Sequence, residues 1–71
     1  MCLAVAGRVI KIADDTAAVD FGGLTKHAST LLFPQLTTGD YVLVHAGFVI
    51  QKLQPQYALE LIELDKEAGL I

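Results

Sequence analysis

Between residues 3 and 53 the apolar positions come in brief runs separated by turn-forming residues, and within each run they alternate with polar ones. A period of two, with β-branched and aromatic residues, predicts strands over residues 3–12, 17–21, 24–31, 41–46 and 48–53. Asp14 and Asp15 close the first run, and Gly22-Gly23 supplies the positive φ angles of a tight two-residue hairpin between the second and third. Residues 33–38 carry Pro34 and read as a loop, Gly39-Asp40 turns the chain into the fourth strand, and Gly47 permits a bend or bulge before the fifth. Beyond residue 53 the period changes to about 3.6, which predicts a helix over residues 55–68. Pro55 suits its first turn and Gly69 its end. Tyr57, Leu61, Leu64 and Ala68 form the stripe expected to face the sheet, beside an acidic stripe of Glu60, Glu63 and Glu67. Leu59 and Ile62 widen the apolar arc, and deep docking on the sheet explains that width better than contact with a partner.

Five short strands in so small a chain close most economically as a barrel, because closure removes the free edges that template aggregation. The expected fold is therefore mainly β, a small five-stranded OB-like β-barrel with a C-terminal α-helix. Residues 1–71 form one domain, with the barrel in 1–53 and the helix in 55–68.

Composition sharpens this picture. With 54% hydrophobic and 18% charged residues the chain is not of the disordered class, and its apolar excess suggests a surface that meets a partner. Residues 1–52 balance Arg8, Lys11, Lys26 and Lys52 against Asp14, Asp15, Asp20 and Asp40, so the net charge of −3 resides entirely in the C-terminal segment. An acidic chain repels phosphate backbones and is a poor electrostatic binder of nucleic acid. The longest stretch without Asp, Glu, Lys or Arg is thirteen residues, 27–39, against the ~20 of a membrane-spanning helix. Arg8 interrupts the N-terminal apolar run, so no secretory signal is read and a cytoplasmic location is expected. One cysteine forms no internal disulfide, in keeping with that compartment.

Three side chains are candidates for soft-metal or nucleophilic chemistry: Cys2, His27 and His45. Paired CxxC, HExxH and phosphate-cradling glycine motifs are absent, and no carboxylates are spaced for acid–base catalysis. Removal of Met1 would leave Cys2 with a free amine and a thiol, two donors partly available near neutral pH. The structural alternative for Cys2 is a small buried hydrophobe. Alternation places Tyr41, Leu43 and His45 on one face and Val42, Val44 and Ala46 on the other. If the smaller residues line the core, His45 looks outward from an apolar neighbourhood, as a metal ligand, as a partner for a thiol or docked chain, or as a tie for the Gly47 bend. His27, between Thr25 and Ser29 on a polar face, reads as solvated, and Asp20 as a cap for hairpin N–H groups.

The same residues carry a resemblance. Met1-Cys2-Leu3-Ala4, Val19-Asp20-Phe21-Gly22-Gly23, and Gly39-Asp40-Tyr41-Val42-Leu43-Val44-His45-Ala46-Gly47-Phe48 followed by Ile50-Gln51-Lys52 resemble the HypC/HupF/HybG family of hydrogenase maturation chaperones along the whole chain. The resemblance implies an OB-like barrel with a C-terminal helix, and a non-enzymatic role in building the Fe(CN)2CO centre of [NiFe] hydrogenases. It implies two partners, the iron–sulfur scaffold HypD and the immature hydrogenase large subunit. Cys2 is implied as the essential residue and His45 as the second position, both as iron ligands or partner contacts. Ala6-Gly7 stands where the family typically has proline, which should leave the cysteine-bearing end looser. Two other classes compete. An OB-type module binding single-stranded nucleic acid would use the aromatic rings but lacks a basic groove. A thiol enzyme with His45 activating Cys2 would need an oxyanion site and a cleft.

Overall fold

The structure, a computed structural model, describes residues 4–67, with side chains described for residues 4–64. Five strands and one helix follow in chain order: β1 (Val5–Ala13), β2 (Thr16–Asp20), β3 (Thr25–Ser29), β4 (Tyr41–His45), β5 (Phe48–Leu53) and α1 (Pro55–Glu67). The strands close a barrel in the order β1-β2-β3-β5-β4, as expected of an OB-like fold. All neighbours are antiparallel except β3 and β5, which meet in parallel through the single pair Ser29–Phe48. The long β1 allows closure, since Val5 to Arg8 pair with β4 while Arg8 to Ala13 pair with β2. Each side of the barrel bends at a bulge, where Ile10 of β1 and Ile50 of β5 are the unpaired extra residues and point largely to solvent.

Period-two alternation fills the interior. Val9, Val19, Val42 and Val49 are fully buried, with Ala17, Phe21 and Ala28 beside them. The loop between β3 and β4 contributes Leu36 to this core and packs Phe33 at its margin. Thr30 is buried at the start of that loop and donates its N–H to the Asp15 carbonyl at 2.8 Å. At the loop's end Asp40 organises the backbone. Its Oδ2 accepts the Thr37 N–H at 2.9 Å, its Oδ1 lies 3.5 Å from Lys52 Nζ, and its carbonyl accepts the Val9 N–H at 2.8 Å. The Thr37 N–H, with the Lys52 charge in support, holds the Asp40 carboxyl below the usual carboxylate range against the opposing effect of desolvation.

A second cluster lies outside the barrel, where Ala6, Leu53 and Ala58 are buried and Tyr41, Leu43, Leu61 and Ile62 pack around them. Strand β1 is therefore covered on both faces, by α1 over Ala6 and by the core over Gly7. Glycine is required at position 7, because an added Cβ would fall 2.5 Å from Val19 Cγ1 and 2.8 Å from Phe21 Cδ1.

Several sequence expectations change. Strand β3 stops at Ser29, where the chain enters the turn closed by the Phe33 N–H on the Thr30 carbonyl at 3.0 Å, so Leu31 is not part of it. Strand β4 stops at His45, because Ala46 (φ 52°) and Gly47 (φ 83°) are the two central residues of a tight hairpin and both lie in the left-handed region. The Gly22-Gly23 hairpin is as expected, with the Phe21 N–H on the Leu24 carbonyl and the Asp20 carboxylate accepting the Gly23 N–H at 2.7 Å. Helix α1 docks through Ala58, Leu61 and Ile62, while Tyr57 and Leu64 of the expected stripe are exposed. The sheet seats the small Ala58 at its centre, which rotates the contact face and leaves Leu59 in solvent too, so the wide arc is only partly docked. Ala68 and Gly69 lie outside the described residues.

Candidate functional site

Register places His45 at one end of the barrel. Val5 pairs with Val44, so the start of β1 stands next to the His45 end of β4. His45 in turn pairs with Phe48 across the Ala46-Gly47 turn, and Phe48 pairs with Ser29, whose N–H bonds to the Gly47 carbonyl at 2.8 Å. One rim therefore joins the N-terminal side of β1, the β4–β5 turn and the end of β3. Leu31 and Leu32, two and three residues past Ser29, are 63% and 64% exposed, and Phe48 is 39% exposed. Three large apolar side chains thus stay in water along this part of the fold, as do Tyr57, Leu59 and Leu64 on α1, so the rim is one of two apolar surfaces open to contact.

The outward orientation expected of His45 holds. Val42 lies in the core and Val44 at its margin, whereas Tyr41 and Leu43 pack under α1. His45 continues the outer face past the helix and is half-buried. Among the described residues no side-chain hydrogen bond or ion pair engages its imidazole, so the ring is not the tie of the Gly47 bend. The backbone does that work through the positive φ pair and the Ser29–Gly47 bond.

Cys2, the other candidate ligand, lies outside the described residues, three positions before the start of β1. Among the described residues no three His, Cys, Asp or Glu side chains converge on a common point. Ala6, in place of the family's typical proline, is buried against Leu53 and Ala58 and paired with Leu43, so strand pairing and helix cover fix the chain at this position. His27 is exposed, as expected, but it lines a shallow hollow with Lys11, Ala13, Thr16 and Ala18 that alternation within one strand does not reveal. The structural role of Asp40 is likewise not read from periodicity. Its sign is the Gly39-Asp40 turn placed before an apolar strand, a setting in which aspartate commonly caps nearby N–H groups. No helix among the described residues is long and apolar enough to cross a membrane.

The chain is similar in sequence to known proteins along most of its length. The model of the HupF/HypC family matches residues 1–64. The hydrogenase maturation factor HypC of Azotobacter chroococcum is 40% identical over 70 residues, covering 97% of this chain and 83% of that protein. The HypC of Cupriavidus necator is 38% identical over 68 residues, covering 94% and 76% respectively, and that of Synechocystis is 39% identical over 71 residues, covering 90% and 93%. With a family match over residues 1–64, and relatives 38–40% identical of which it covers 76–93%, the chain belongs to the HupF/HypC family.

Proposed function

We propose that this protein is a hydrogenase maturation chaperone that binds the HypD scaffold and then the immature [NiFe]-hydrogenase large subunit in the cytoplasm, and passes the Fe(CN)2CO unit from one to the other without itself being an enzyme. The observation that carries this reading is the rim itself, because the β1 register brings the N-terminal side of the chain to His45 beside exposed apolar residues. Three residues of chain span at most about 11 Å, so Cys2 is tethered within that distance of Val5.

The chemistry suits this arrangement. Iron bearing cyanide and carbon monoxide is a soft cargo that thiolate binds well. One thiolate from Cys2, with the His45 imidazole as a second donor or as a partner for the thiol, holds the cargo without enclosing it. Transfer is then ligand exchange, in which the iron–thiolate bond to Cys2 breaks as a bond to an acceptor thiolate forms, with no change of oxidation state. Leu31, Leu32 and Phe48 would keep donor and acceptor together by apolar contact while this occurs.

Affinity capture with HypD and infrared spectroscopy of the captured protein test the proposal. The wild type should retain HypD and show cyanide and carbon monoxide stretches. Cys2→Ala should lose both, and His45→Ala should weaken them with thermal stability unchanged. Leu31→Glu/Leu32→Glu should lower HypD capture about tenfold or more, on the scale of losing two apolar contacts. Full capture and undiminished stretches in Cys2→Ala would refute the role of the thiol, and full capture by the double leucine variant would remove the rim from the interface.

A further inference from the structure

Across the outer face of β1, β2 and β3, Lys11, Ala18 and His27 stand in one row, because Ala18 is the register partner of both. The adjacent row is Ala13, Thr16 and Ser29. Neighbouring strands lie about 4.8 Å apart, so the backbones of Lys11 and His27 are separated by about 10 Å with only a methyl group between them. The result is a hollow of about 130 Å³ lined by Lys11, Ala13, Thr16, Ala18 and His27. Its floor is alanine, and its opposite walls carry an ammonium and an imidazole.

These two polar groups are uncommitted. Elsewhere on the barrel Lys52 pairs with Asp40, whereas Arg8 and Lys26, like Lys11, make no ion pair among the described residues. Among the described residues neither Lys11 nor His27 makes a side-chain hydrogen bond or ion pair. In a chain of net charge −3, what distinguishes Lys11 is that it shares the lining of one hollow with His27. The outer strand face of small barrels of this topology is also where they commonly take ligands.

We propose that this hollow is a binding subsite for a carboxylate, with the Lys11 ammonium, a His27 ring N–H and the Thr16 hydroxyl as donors. One permanent positive charge matches a monoanion better than a phosphate dianion. Asp14 and Asp15 are exposed in the turn that joins Ala13 to Thr16, two residues of the lining, and their charges favour a ligand seated toward Lys11 and His27. The carboxylate has two sources, a free small acid or an acidic side chain of a protein segment laid along the face, and both present the same chemistry. Exposed groups bind weakly, so dissociation constants fall in the millimolar range for the free acid.

The test is a nitrogen–proton correlation titration of the intact protein with acetate, with a capped tri-glutamate peptide and with inorganic phosphate. Acetate or the peptide should shift the amides of residues 11, 13, 16, 18 and 27 saturably, and both more strongly than phosphate. Lys11→Gln should weaken binding about tenfold, the loss of one charge-assisted hydrogen bond, and His27→Gln less, both with unaltered melting temperature. Tighter binding of the peptide identifies an acidic protein segment as the source, and equal binding a free acid. Shifts that are unsaturable, spread over the surface, unchanged in Lys11→Gln, or largest with phosphate would overturn the proposal.

Discussion

Replacing Gly7 with alanine should destabilise the barrel by about 1–3 kcal/mol, although alanine is ordinarily the better residue within a strand. The new Cβ would sit 2.5 Å from Val19 Cγ1, 2.8 Å from Phe21 Cδ1 and 2.9 Å from Phe21 Cε1. Carbon atoms pack at about 3.5–4.0 Å, so the Val19 contact is short by about 1 Å or more. Val19 is fully buried and β-branched, with little freedom to change rotamer, and Phe21 is held in the same core. Relief therefore requires β1 to move away from β2, at a strand also pinned by α1 over Ala6. Restricting the unfolded chain returns only about 0.4–1 kcal/mol. Overpacking wins, and the midpoint of thermal unfolding should fall by about 7–20 °C. Urea unfolding followed by circular dichroism should show a lower midpoint with an unchanged slope. Val19→Ala removes the obstructing methyls, so Gly7→Ala/Val19→Ala should cost less than the sum of the two single changes. An alanine variant as stable as wild type, or strict additivity in the double variant, would refute the claim that β1 and β2 meet at Gly7 without room for a methyl group.

Two further outcomes follow from backbone and charge. Ala46 holds φ 52° beside Gly47, so Ala46→Gly should raise stability by about 1 kcal/mol, read as a higher melting temperature, and Ala46→Val should lower it. Asp40→Asn should cost about 1 kcal/mol at pH 7 by weakening the bond to the Thr37 N–H and removing the ion pair with Lys52. Because folding lowers the Asp40 pKa from 3.8, its contribution is present above that value and disappears as pH falls through the lower folded value. The stability difference between wild type and Asp40→Asn, measured by urea unfolding at each pH, should therefore be constant from pH 7 to about 5 and vanish in stronger acid.

Much of the fold is legible locally. Five strands and a helix announce themselves through a change of period, and the Gly22-Gly23 hairpin through the one residue type that takes positive φ at no steric cost. Alternation extends the fourth strand to Ala46 because alanine carries no turn signal. Only the pairing of His45 with Phe48 forces it into the left-handed region. The helix face differs from expectation for a related reason. Hydrophobicity favours Tyr57 and Leu64, but the surface over Ala6 and Leu53 admits a small residue, and Ala58 is the one seated there. Composition ranks side chains by their dislike of water, whereas docking selects them by shape.

Sequence alone established family, the number and kind of elements, and the identity of the candidate chemical groups, because motif, periodicity and turn residues are properties of the chain itself. Tertiary structure decided what stands beside what. It brought the start of β1 to His45, hung Leu31, Leu32 and Phe48 near that rim, and set Lys11 and His27 on either side of Ala18. Val5 and Val44 are remote from each other along the chain, as are Lys11 and His27; the β1–β4 pairing that closes the barrel makes the first two neighbours, and the pairing of β1 and β3 with β2 sets the other two across Ala18.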